Sequence, residues 1–101
     1  MTDTDLTLLR DSAAQAAQLL KSMSNPHRLL ILCMLIDSPG TSAGDLSRLT
    51  GLSASATSQH LARMREEHLI EFKREAQRIN YFIKSPSVLK IVTTLKAIYC
   101  P

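Results

Sequence analysis

Two polar segments and two isolated thiols are the groups in this chain with chemistry to offer. Residues 41–68 read TSAGDLSRLTGLSASATSQHLARMREEH. Within them Ser53, Ser55, Thr57, Ser58, Gln59, His60 and Arg63 place hydrogen-bonding side chains along a helix, on a surface where a core-facing helix would need none. Donors and acceptors over so small a footprint suit the base edges and phosphates of a duplex major groove. Ser55, Ser58 and Gln59 are assigned to the base-facing side, where Gln59 can pair with adenine in bidentate fashion. Ser53, Thr57, His60 and Arg63 are assigned to phosphate or to support of the turn. Further along, Lys73, Arg74, Gln77 and Arg78 form a basic tip within reach of the backbone or the minor groove. The competing reading of the serines and threonines is capping and turn chemistry, and of His60, packing against the preceding helix.

Cys33 lies inside the apolar run LLILCMLI, and Cys100 follows the last apolar helix. Cys33 taken alone is an ordinary small core residue. Cys100 is sterically open to oxidation and exchange. In a reducing cytosol, two thiols that can approach each other are more often a sensor than a staple, so sensing and plain structure both stand. Cys100-Pro101 could also offer a thiolate to haem iron; no other cofactor is called for. His27, His60 and His68 lie on different elements with no paired spacing, which speaks against a metal centre.

Net charge is +3, but residues 1–47 are net acidic, whereas the seven Lys/Arg of residues 48–84 outnumber their four Glu. The basic excess therefore falls on the polar helix and the segment after it, as phosphate binding requires. No glycine-rich phosphate loop, paired carboxylates or Ser-His-Asp arrangement points to an enzyme. The longest apolar run, Leu29 to Ile36, falls far short of the ~20 residues that span a bilayer, and no basic leader precedes it. A cytosolic protein is expected, joining the nucleoid when on DNA. A protein-interaction module is the remaining rival, and the basic tip argues against it.

The elements that must position these groups follow from periodicity and caps. Leu6, Leu9, Ala13, Ala16, Ala17, Leu20 and Met23 form an amphipathic stripe over 5–23. Asn25-Pro26 opens a second helix, apolar nearly all round and hence central, to about Ile36. Ser38-Pro39-Gly40 stops it. Ser42 with Asp45 resembles a capping box and starts a third helix ending near Thr50. Gly51 supplies the turn, and Ser53 caps a fourth helix to about Glu67, with Leu61 and Met64 inward. From Leu69 the rhythm becomes alternating: Leu69–Lys73 and Arg78–Ile83 read as strands around a charged loop over Arg74–Arg78. Ser85-Pro86 opens a last helix bearing Val88, Ile91, Val92, Leu95 and Ile98. The expected fold is mainly α with a small β-hairpin, in the order ααααββα. It is a winged helix-turn-helix in one domain (1–101), with the helix-turn-helix at about 42–67 and the wing at about 69–84. The first and last helices (about 5–23 and 86–99) carry more apolar surface than a small core absorbs, so a homodimer through them is expected. Two copies about 34–36 Å apart would read a palindrome.

PHRLLILCMLI followed by SAGDLSRLTGLSASATSQHLARMREEHLIEFKREAQRINYFI resembles the ArsR/SmtB family of dimeric winged-helix repressors, over essentially the whole chain. LSASATSQHLARMREE and the ending YCP carry a narrower resemblance to that family's thiol-based BigR/SqrR group. The family's metal sites do not carry over. Thr41-Ser42-Ala43-Gly44-Asp45 has no cysteine where the family's thiolate motif sits, and SPSVLKIVTTLKAIY lacks the Asp and His ligands of the other site. The resemblance implies a disulfide or polysulfide bridge between Cys33 and Cys100. Its oxidant would be a persulfide, a polysulfide or another thiol oxidant, and bridging would release the dimer from its operator.

Overall fold

The computed structural model describes residues 1–100. Its elements run α1 (Asp3–Met23), α2 (Pro26–Asp37), β1 (Thr41–Ser42), α3 (Ala43–Thr50), α4 (Ala54–Glu66), β2 (Ile70–Glu75), β3 (Arg78–Ile83) and α5 (Pro86–Tyr99). The mainly helical winged helix-turn-helix expected from periodicity is the fold observed.

Each helix begins where a side chain accepts from backbone N–H groups that have no partner within the helix. Thr2 and Asp5 form a reciprocal capping box, which starts α1 two residues earlier than its apolar stripe. Asn25 accepts from the amides of His27 and Arg28 ahead of α2. Ser42, Ser53 and Ser85 cap α3, α4 and α5. The box expected at Ser42 is only half made: Ser42 accepts from the Asp45 amide at 3.2 Å, while the Asp45 carboxylate turns to Arg78 and Arg48.

The core is centred on α2, whose Ile31, Leu32 and Leu35 are fully buried among Leu46, Leu61, Met64, Leu69, Ile70, Val88 and Val92. α1 joins this core through its last turn, by Leu19 and Met23, and leaves Leu6, Leu8, Leu9 and Leu20 exposed. At 1.5 Å per residue it is a rod of about 31 Å.

The sheet has three strands in the order β1-β3-β2, not two. A two-residue strand is too short to show an alternation in sequence. Gly40, at φ +87°, turns the chain so that its amide donates to the Tyr81 carbonyl at 2.8 Å. Thr41 and Ser42 then pair with Tyr81 and Asn80. The loop expected over Arg74–Arg78 shrinks to Ala76-Gln77, because Arg74 pairs with Ile79 and Glu75 with Arg78. Asn80, expected to face outward, is buried, with its side-chain oxygen accepting from Arg78 Nε at 2.9 Å.

Candidate nucleic-acid interface and thiol pair

α3 and α4 pack together across a turn that three features fix. Gly51 takes φ +76°, a left-handed conformation. The Ser47 hydroxyl donates to the Leu52 carbonyl at 2.7 Å. Thr50 donates to the Leu46 carbonyl at 2.7 Å and accepts from the Leu52 amide at 3.2 Å. The far end of α4 closes with His68 at φ +63°, the Leu69 amide reaching the Met64 carbonyl and the His68 amide that of Arg65. This is the Schellman arrangement, here without glycine.

Between these fixed ends, α4 divides into two faces. Thr57, Leu61 and Met64 are buried. Ser55, Ser58, Gln59, Ala62 and Arg63 recur at three and four residues on the exposed side. Four of these five are sequence-assigned; Ala62 had not been singled out, and it keeps the middle of the face low. Thr57 is a correction. It is 1% exposed, and its hydroxyl has no hydrogen-bond partner, so it belongs to the core side of the helix. Its polarity masked its place in the apolar spacing. Ser53 is exposed and accepts from the Ala56 amide at 3.0 Å.

His60 is half-buried beside the start of α2, not against α3 as its packing alternative supposed: its ring lies 5.9 Å from that of His27. Burial first, then the positive field of Arg28 and then His27, hold its pKa below the ordinary histidine value. Arg28 ties this corner together, donating to the Ser22 carbonyl at 2.8 Å and pairing with Glu67 at 3.6 Å.

On the wing, Lys73, Arg74 and Gln77 are exposed, with the Lys73 ammonium 5.0 Å from the Phe82 ring centre. Arg65 caps Phe72 on the other face of the hairpin at 4.3 Å. Arg78 is engaged within the fold, its guanidinium on Asp45 at 3.2 Å and on Asn80.

Cys33 and Cys100 line one cavity of about 440 Å³, whose other walls are Leu29, Val92, Leu95, Lys96 and Tyr99. Both are free thiols, Cys33 half-buried and Cys100 exposed. Burial pushes the Cys33 thiol up, the Lys96 ammonium draws it back, and negative charge on Cys100 and Asp37 adds to the rise. Lys96 donates to Asp37. That bond, resisted by burial and aided by the charges of Asp37, Cys33 and Cys100, raises the lysine pKa. Among the described residues, no three His, Cys, Asp or Glu side chains gather as a metal site. Pro101, the second half of the Cys-Pro pair considered for haem, lies outside the described residues.

The model of the bacterial regulatory protein arsR family matches residues 25–71, which run from the cap of α2 into β2. The HTH-type transcriptional regulator YgaV of Escherichia coli K12 is 67% identical over 98 residues, 97% of this chain and 99% of the relative. The chain belongs to the ArsR family. Reduced HlyU from Vibrio cholerae superposes on this ArsR-family fold with TM-score 0.87 at 42% identity, covering 92% of this chain and 97% of the other. The transcriptional repressor BigR from Xylella fastidiosa does so with TM-score 0.85 at 30% identity, covering 98% and 94%. This ArsR-family member is accordingly a DNA-binding transcriptional regulator and not an enzyme. Among the described residues, no helix is long and apolar enough to cross a membrane. Lys96 and Asp37 join the thiol site without having been singled out in the sequence. The signal was there: Asp37 stands four residues after Cys33 and Lys96 four before Cys100, so on α2 and α5 each ion shares a face with a thiol.

Proposed function

We propose that the protein is a transcriptional repressor that grips a palindromic operator as a homodimer and lets go when Cys33 and Cys100 are bridged. The observation that carries the sensing half is the single cavity both thiols face, with an ammonium beside them. Repression is assigned on the likeness to BigR. The dimer is assigned to α1 and α5, where Leu6, Leu8, Leu9, Leu20, Ile98 and Tyr99 remain exposed. A monomer with that much apolar surface along one rod would associate.

In the reduced dimer, Ser55, Ser58 and Gln59 meet base edges and Ala62 lets the helix sit close. Ser53, His60 and Arg63 meet phosphate at the flank, and Lys73, Arg74 and Gln77 do so from the wing. An effector fits the thiol pair as follows. The exposed Cys100 thiolate attacks the outer sulfur of a persulfide RSSH, giving Cys100–S–SH and releasing RS⁻. The Cys33 thiolate then attacks the inner sulfur of that group, forming Cys33–S–S–Cys100 and expelling HS⁻. The two thiols lose two electrons, and the sulfane sulfur gains them and leaves as sulfide. Attack on a longer polysulfide leaves extra sulfur in the bridge. Lys96 favours both thiolates by its charge. The bridge ties core helix α2 to α5, and α5 belongs to the proposed dimer surface, so the spacing of the two reading helices changes. A hundredfold loss of affinity asks for only about 2.7 kcal/mol of coupling.

Cys33→Ser and Cys100→Ser chains, each treated with glutathione persulfide, should stay on DNA in a gel shift that releases the parent chain. Release of both variants would remove the thiols from the mechanism. Sedimentation should show a dimer that Ile98→Glu weakens; a monomeric parent chain that still binds DNA tightly would remove the twofold reading.

A further inference from the structure

Arg78 stands near the tip of a basic hairpin, where a cation is ordinarily taken for a phosphate contact. Its bonding says otherwise. Nη2 donates to Asp45 Oδ2 at 3.2 Å across 33 residues of sequence, and Nε donates to Asn80 Oδ1 at 2.9 Å. Asp45 is in turn the N3 residue of α3, its amide held by Ser42 and its other oxygen 3.6 Å from Arg48. Beneath the ion pair runs the short ladder Thr41–Tyr81 and Ser42–Asn80. The first turn of the helix-turn-helix and the outer end of β3 are therefore joined twice, once by backbone and once by charge. Glu75, the cross-strand partner of Arg78, brings a second carboxylate to the same hairpin end.

We propose that Arg78 is a positioning residue: with Asp45 it latches the wing to α3, fixing the angle at which Lys73, Arg74 and Gln77 approach the duplex. The alternative, a direct phosphate contact, makes an opposite prediction at Asp45. A carboxylate beside a DNA-binding surface repels phosphate, so its removal should tighten binding if Arg78 is thereby freed to reach the backbone. A latch loses grip when either half is removed.

The test compares the parent chain with Arg78→Gln, Asp45→Asn and the double variant, each reduced. The probe is a duplex of the sequence immediately upstream of the chain's own coding region, and an unrelated duplex serves as control. Affinity is measured as a function of salt, and amide exchange of Ser42 and Asn80 without DNA. Each single variant should bind roughly 3- to 10-fold more weakly, the range of ordinary coupling energies. The double variant should be no weaker than the worse single one, because the two residues act as a unit. The slope of log K against log salt should hardly change, and both singles should speed exchange at Ser42 and Asn80. The Asp45→Arg, Arg78→Asp swap should recover part of the loss. The latch is overturned by tighter binding in Asp45→Asn, by a slope reduced by about 0.9 in Arg78→Gln alone, or by unchanged amide exchange in both. The exchange arm uses no DNA, so it judges the latch even if the upstream duplex holds no site.

Discussion

Replacing Thr57 by valine should stabilise the protein and leave DNA binding where it was. Thr57 sits on the first turns of α4 with 1% of its surface exposed, and its hydroxyl has no partner. A buried hydroxyl without a hydrogen bond costs about 1–3 kcal/mol in lost hydration. Valine keeps the branched shape and the single preferred rotamer, and it places a methyl where the hydroxyl stood. A net gain of about 1 kcal/mol is expected, which for a domain near this size corresponds to roughly 4–8 °C in Tm. The assay is thermal and urea unfolding of both chains at one protein concentration, since an associating protein's midpoint depends on concentration. Affinity for the upstream duplex is measured on the same preparations. A loss of stability, or a tenfold loss of affinity with stability kept, would show that the hydroxyl finds a partner in the working protein. The assignment of Thr57 to the core side would then be wrong.

Three further outcomes follow from the same geometry. Lys96→Met should raise the Cys33 pKa further and slow bridging at neutral pH, with the rate recovering as pH rises; an unchanged pH–rate profile would take Lys96 out of the chemistry. His60 has a folded pKa below its ordinary 6.5, so its contribution to stability is present above that value and lost as pH falls toward the folded pKa. His60→Gln should flatten the acid side of the stability curve in that interval, and an unaltered acid limb would contradict the burial argument. Gly51→Ala, placing a side chain at φ +76°, should cost about 1–2 kcal/mol by denaturant midpoint; no cost would mean that the turn relaxes.

Much of the fold was legible because its signals are local. Asn25-Pro26, Ser53 and Ser85-Pro86 announce helix starts by the groups they offer to free amides, and Leu61 with Met64 shows which side of α4 is inward. Thr57 lies four residues before Leu61, so the same spacing placed it; weighing its polarity above its position sent it to the wrong face. β1 has two residues, and its existence depends on Gly40 reaching Tyr81, a pairing that no local pattern encodes. The Arg78–Asp45 contact spans 33 positions and likewise has no periodic trace. The cysteines' shared cavity depends on how α5 crosses α2, which sequence spacing does not set. The i,i+4 ions beside each thiol mark the faces that meet there.

The most direct measurement follows one sample through the proposed switch. Reduced protein is bound to a fluorescent duplex of its own upstream DNA, treated with glutathione persulfide, and read by anisotropy while an aliquot goes to intact mass. The account predicts tight, salt-sensitive binding at the start. It then predicts loss of the complex in step with a species two hydrogens lighter per chain, with or without inserted sulfur, whose linkage maps to Cys33 and Cys100. A chain fully bridged by mass that still holds the duplex with undiminished affinity would contradict it.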